Sequence, residues 1–217
     1  MKVIIFGATG MIGQGVLREC LLDPGVTSVL AVTRSPIGQQ HPRLRELVHR
    51  DFASFSAIEP QLAGYDACFF CLGISSVGMT EDAYRRVTYD FALAAAETLA
   101  RRNPEMTFIY VSGAGTDASS QTMWARVKGQ TEHAILQLPF KRAYMFRPGF
   151  IQPLHGVTSK TSLYRAIYTV ARPLYPLLRR LAPKMVTNTE QVGRAMLKAA
   201  RQGAPKAILE SQDINSL

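Results

Sequence analysis

Short runs of β-branched and aromatic residues alternate along the chain with longer, helix-favouring stretches. Lys2 to Phe6, Ser28 to Thr33, Leu44 to Val48, Ala67 to Leu72, Thr107 to Val111 and Arg142 to Phe146 read as strands. Met11 to Leu22, Thr80 to Arg102 and about Thr122 to Leu138 read as helices, the second stopped by Asn103-Pro104. Strands this apolar suit a sheet covered on both faces. The alternation predicts an α/β protein, a doubly wound parallel sheet in three layers, α/β/α, with right-handed crossovers. Ligands of such sheets lie at the carboxyl ends of the strands.

The turn behind the first strand carries the clearest chemistry, Gly7-Ala8-Thr9-Gly10-Met11-Ile12-Gly13. A strand–turn–helix rich in glycine lets backbone pass close to a pyrophosphate, which then faces the free N–H groups of Gly10, Met11, Ile12 and Gly13 at the helix start. The implied ligand is a dinucleotide. The spacing is G-x-x-G-x-x-G rather than G-x-G-x-x-G, so the commoner fingerprint is matched only in part. At the end of strand two stands Val32-Thr33-Arg34-Ser35, with no acid nearby. A carboxylate there suits the ribose hydroxyls of NAD; the charged fork of Arg34 suits the 2′-phosphate of NADP. NADP is therefore favoured over NAD, with a solvated surface arginine as the alternative. Leu72-Gly73-Ile74-Ser75 follows strand four, where Gly73 lets backbone pass beside the cofactor.

These residues, with Cys71-Leu72-Gly73, Tyr110-Val111-Ser112-Gly113, Met123 to Gly129 and Phe146-Arg147-Pro148-Gly149, resemble the short-chain dehydrogenase/reductase superfamily. The chain looks most like its atypical NAD(P)-binding Rossmann branch, of the Tat-interacting-protein-like and NmrA-like type. The resemblance runs from Lys2 to about Gly149 and returns weakly near Val186 to Met196. It implies that Ser112 orients a substrate carbonyl and that a Tyr-x-x-x-Lys pair on the next helix supplies acid/base function. Here the tyrosine position holds Trp124, four residues before Lys128. An indole N–H donates a hydrogen bond but cannot relay a proton. Lys128 keeps the role of binding the nicotinamide ribose, which needs only charge and reach. The resemblance also brings Asp51-Phe52 to the adenine, although Asp51 is equally placed to cap a helix near Ser54. Arg147-Pro148-Gly149 would turn onto the nicotinamide. Thr88 falls where related enzymes carry a structural asparagine and is read as a plain helix-face threonine. Should another acid replace the phenol, His155, Tyr164 and Tyr168 are the candidates, His155 first.

At 217 residues and 47% hydrophobic, the chain suffices for a single domain over residues 1–217. The apolar N-terminus is too short for a signal peptide, and no stretch is long enough to span a bilayer, so a cytoplasmic protein is expected. Cys20, Cys68 and Cys71 fit a reducing compartment; Cys68 and Cys71, three apart on a strand, point to opposite faces and read as core. The net charge of +9 is uneven: residues 1–140 hold 12 basic and 13 acidic side chains, residues 141–217 hold 13 and 3. Ser159 to Ala171 reads as a helix, and Pro173 and Pro176 precede Leu177-Leu178-Arg179-Arg180-Leu181. This basic, apolar region suits a substrate-side cap over residues 150–185, a homodimer contact, or peripheral contact with an anionic membrane through residues 160–184. No motif that reads nucleic acid sequence is present. Three functions remain open: an NADP-dependent oxidoreductase or epimerase on a small molecule, a non-catalytic dinucleotide-binding redox sensor or regulator, and a membrane-surface protein that keeps a cofactor for stability.

Overall fold

The computed structural model describes residues 1–157 and 185–217, so the expected helix from Ser159, the basic pair Arg179-Arg180, Tyr164 and Tyr168 lie outside the described residues. β1 (Lys2–Phe6), β2 (Ser28–Thr33), β3 (Leu44–Val48), β4 (Ala67–Phe70), β5 (Thr107–Val111), β6 (Arg142–Arg147) and β9 (Ile208–Glu210) form one sheet in the order β3-β2-β1-β4-β5-β6-β9. Every pairing in it is parallel. The chain steps outward from β1 to β3 and then returns to lay β4 on the other side of β1. The direction reverses between β1 and β4, and a crevice opens there at the strands' carboxyl ends.

Alternate residues of the inner strands feed two separate cores. Val3, Ile5, Phe69 and Ile109 pack with Val16, Leu17 and Cys20 of α1 (Met11–Leu22), with Val192, Ala195 and Met196 of α5 (Thr189–Gln202), and with Ile214 of α6 (Ser211–Ser216). Ile4, Phe6, Cys68, Phe70 and Phe108 pack on the other face, against Ala92, Ala95 and Leu99 of α3 (Phe91–Arg102) and Ile135 of α4 (Met123–Leu136). The sheet is thus the middle of three layers, the Rossmann arrangement. Cys68 sits in the second core and Cys71 against the first, so the two thiols face apart. Burial holds the thiols of all three cysteines protonated, well above their ordinary range.

Three departures from the sequence pattern have local causes. The expected helix over Thr80–Arg102 is α2 (Glu81–Arg85), a π-helical turn (Arg86–Asp90) and α3 run together. Strand β4 stops at Phe70 instead of Leu72. Cys71 still donates to the Phe6 carbonyl at 2.9 Å, but β1 has ended and leaves β4 nothing further to pair with. Beyond β6, β7 (Phe150–Gln152) pairs in parallel with β8 (Val186–Asn188), and these three-residue strands, like β9, are too short to show a period.

The β1–α1 turn is fixed by contact between its own ends. Gly7 has φ +77°, and its carbonyl accepts from Gly10 N–H at 2.9 Å. A Cβ on Gly13 would lie 2.1 Å from that carbonyl oxygen. Gly13→Ala is therefore expected to lower stability by about 1–3 kcal/mol, because strand and helix must separate to admit one methyl group. Urea denaturation checks this, and an unchanged midpoint would show that the turn has slack.

Candidate functional site

The first turn of α1 points its N–H groups toward the crevice. Gly10 caps the helix with extended backbone and no side chain, and no acid stands in the first turn. The leading amides, through Ile12 and Gly13, have no intrahelical acceptor, and with the helix dipole they favour an anion. Thr9 contributes its carbonyl to Gln14 Nε2 at 3.0 Å, which fixes the turn from the side. Gly7 faces the end of β4, where a Cβ would fall 2.6 Å from Leu72 N. One residue on, a Cβ on Gly73 would meet nothing within 4 Å. The cradle between α1 and the β4 loop therefore fits a dinucleotide pyrophosphate with backbone on both sides.

At the end of β2, Arg34 is exposed, and the Thr33 hydroxyl beside it is buried without a hydrogen-bond partner. An orphaned hydroxyl there suits a polar ligand. Beyond β3, Asp51 accepts from Ala53 N–H at 3.0 Å, closing its own turn; the 3-10 helix that follows begins at Ser56. The Phe52 side chain is not free to meet an adenine. Its ring is 2% exposed and stacks on Phe55 at 5.7 Å, with Phe6 and Phe91 edge-on, so its side chain belongs to the core.

The ends of β5 and α4 bring Ser112, Trp124 and Lys128 together. A Cβ on Gly129 would lie 2.2 Å from Ala118 N, so the loop after β5 lies directly on α4. Trp124 is half-buried, its ring 4.0 Å from where a Cβ of Gly113 would stand and 3.7 Å from that of Gly115. Ser112 is buried, its hydroxyl 3.0 Å from Thr116 Oγ1, which itself donates to the Gly113 carbonyl at 2.8 Å. Since Thr116 has one proton, Ser112 is the donor of that pair. Its hydroxyl must turn away before it can donate to a carbonyl. Thr116, four residues after Ser112, gave no sequence signal.

Lys128 Nζ donates to the Val111 carbonyl at 3.4 Å and lies 5.4 Å from the Tyr110 ring centroid. Burial pulls its ammonium down to about 8 against the pull of Glu132 one turn on. Tyr110 is fully buried and its phenol is pushed far above the usual range, first by burial and then by Tyr84 and Glu132. Thr88 belongs to the π-helical turn rather than a plain helix face. Its hydroxyl is buried without a partner, and its carbonyl faces Thr131 Oγ1 at 3.5 Å.

The Arg147 side chain is engaged inside the protein. Its guanidinium clamps the buried Glu132 through Nε at 2.9 Å and Nη2 at 2.5 Å, and reaches Glu210 at 3.5 Å. The side chain is committed to holding α4 and β9 on β6. The i, i+4 spacing of Lys128 and Glu132 suggests a different pair, one that Arg147 pre-empts. Pro148 is buried, its carbonyl accepting from Ala114 N–H at 3.1 Å. Gly149 is small for packing, since a Cβ would fall 2.4 Å from the Met185 carbonyl. His155, at φ +56°, bonds Glu190 of α5 at 2.7 Å.

Residues 7–142 match the family model described as NAD(P)H-binding. The chain belongs to this family. Over 152 residues it is 30% identical to Protein HTATIP2 of Rattus norvegicus, covering 69% of this chain and 62% of that protein, less than two thirds of it. Over 212 residues it is 24% identical to Protein FMP52, mitochondrial, of Candida albicans, covering 94% and 89%. The Bordetella bronchiseptica enzyme WbmF, solved with NAD+, superposes with a TM-score of 0.68 at 15% identity, covering 99% of this chain and 76% of that one. A short chain dehydrogenase family protein of Francisella tularensis gives 0.67 at 12%, covering 93% and 91%. At those identities the likeness is one of fold. Family, relatives and fold together make this an NAD(P)H-binding protein of the Rossmann fold. The cytoplasmic expectation is overturned by relatives named mitochondrial in Candida albicans, Eremothecium gossypii, Scheffersomyces stipitis and Emericella nidulans.

Arg147→Met should lower the stability of the cofactor-free protein by about 3–5 kcal/mol, because Glu132 stays buried and unpaired, and Glu132→Leu added to it should recover most of the loss. Urea denaturation of the unmutated protein and the two variants checks this. A defect confined to cofactor affinity would return Arg147 to the ligand site.

Proposed function

We propose that this chain is an NADP(H)-dependent oxidoreductase that interconverts a carbonyl and a hydroxyl on a small substrate. The observation that carries the reading is the conjunction of an uncapped α1 N-terminus with an unaccompanied Arg34 at the end of β2. A nicotinamide cofactor, when bound, supplies or accepts the hydride. The α1 amides and Gly73 hold its pyrophosphate, Arg34 takes the 2′-phosphate, and Lys128 takes the nicotinamide ribose. Ser112, once turned from Thr116, orients the substrate oxygen. The names of the FMP52 relatives favour a mitochondrial setting.

A second reading, a dinucleotide-binding sensor without turnover, is favoured by Trp124, since an indole in the phenol's position removes the usual acid. Two measurements separate the possibilities. NADPH should bind more tightly than NADH, and Arg34→Ala should erase about ten- to a hundredfold of that preference in calorimetry. Equal affinities in the unmutated protein would defeat the NADP assignment. Trp124→Tyr restores a phenol four residues before Lys128 and should raise the reduction of an activated carbonyl such as phenanthrenequinone. A variant that binds cofactor and stays inert would favour the sensor.

A further inference from the structure

We propose that Lys128 is the group that protonates the substrate oxygen in this chain, in the place the family resemblance gives to a phenol. The inference rests on the oxidoreductase reading above. It begins with elimination at the end of β5, among the described residues. The Trp124 ring lies over Gly113 and Gly115 and has no proton to give. The Ser112 hydroxyl, once turned from Thr116, can orient the substrate oxygen by a hydrogen bond, but an aliphatic hydroxyl is too weak an acid to give up its proton near neutral pH. Tyr110 is 1% exposed, walled into the sheet. His155 is turned onto Glu190 at the start of α5.

Lys128 has what the others lack. Its Nζ reaches the Val111 carbonyl, one residue before Ser112, from a side chain rooted one turn after Trp124. The groups facing it are Tyr110 from β5, Glu132 from its own helix and, beyond Glu132, Arg147 from β6. Glu132 makes no ion pair with Lys128, because Arg147 Nε and Nη2 engage both its oxygens. The ammonium therefore keeps N–H bonds to direct at a ligand. Burial makes it a far stronger acid than a surface lysine, yet it remains protonated at neutral pH.

The step balances with a reduced nicotinamide as the two-electron donor. A hydride forms the new C–H bond at the carbonyl carbon, the C=O π bond breaks, and its electron pair takes a proton from Lys128 Nζ. The substrate is reduced to an alcohol, the nicotinamide is oxidised, and Lys128 is left as a neutral amine that recovers its proton from water.

Lys128→Arg separates the two roles given to this residue, because arginine keeps the charge that holds a ribose but does not release a proton near neutral pH. The variant should still bind NADPH and lose about 10²–10⁴-fold in single-turnover reduction of phenanthrenequinone. In the unmutated protein the reduction rate should fall as pH rises through about 8. Nuclear magnetic resonance of isotope-labelled lysines in the cofactor-free protein gives a readout independent of turnover. One resonance, missing in Lys128→Arg or Lys128→Met, should titrate near 8, and a Lys128 midpoint at the ordinary 10.5 would overturn the proposal. Undiminished reduction by folded, NADPH-bound Lys128→Arg would overturn the acid role alone. Should that variant not fold, the pH profile and the lysine titration of the unmutated protein decide. An unmutated protein that binds NADPH but reduces nothing overturns the oxidoreductase reading and the acid with it.

Discussion

The absence of a side chain at Gly13 governs the geometry of the site. With no room for a Cβ between α1 and the Gly7 carbonyl, the helix begins directly over the end of β1 and its first amides face the crevice. Gly7 in turn takes a left-handed backbone because the chain leaving β4 passes within a bond's reach of where its side chain would be. The two contacts lock the ends of β1 and β4 at the point where strand order reverses. Such a turn binds anions through backbone alone. It says nothing of what else the protein recognises.

A second constraint sets the other wall. Glu132 is an acid 2% exposed in the layer between α4 and β6, and only the two-point grip of Arg147 makes that burial tolerable. Arg147 is also the last residue of β6 and touches Glu210 at the end of β9. The pair therefore fixes the height of α4 against the carboxyl edge of the sheet, and with it Trp124 and Lys128. Gly129, pressed on Ala118, brings the loop after β5 onto the same helix. Ser112, Trp124 and Lys128 meet because these two contacts hold.

How much of this was legible in the sequence depended on whether a residue's role is local. The six longer strands and the α1 turn were readable because a buried parallel strand needs an apolar run and a tight strand–helix turn needs glycine. The side-chain surroundings of Phe52 and Arg147 were not readable, for the opposite reason. A phenylalanine beside a nucleotide crevice looks like an adenine contact until Phe6, Phe55 and Phe91 close round it, and Phe6 and Phe91 come from β1 and α3. An arginine after a strand looks free until a buried glutamate fifteen residues earlier arrives beside it. The π-helical turn at Thr88 was invisible, since a one-residue insertion leaves the apolar spacing of a long helix almost unchanged. The strands β7, β8 and β9 are made by their partners rather than by a pattern of their own.

The two duties of Lys128 pull its environment in opposite directions. Holding a ribose favours a firmly charged ammonium, whereas giving up a proton favours one weakened by burial. Burial under Tyr110 and the end of β5 does the weakening, and Glu132, close enough to be felt but tied by Arg147, limits it. Were Glu132 free to pair with Lys128, its carboxylate would fix the charge and raise the ammonium back toward the value of a surface lysine. Were it absent, burial alone would lower the ammonium further and weaken the grip on the cofactor. Arg147 thus reaches the chemistry without touching a ligand, by deciding which base Glu132 serves.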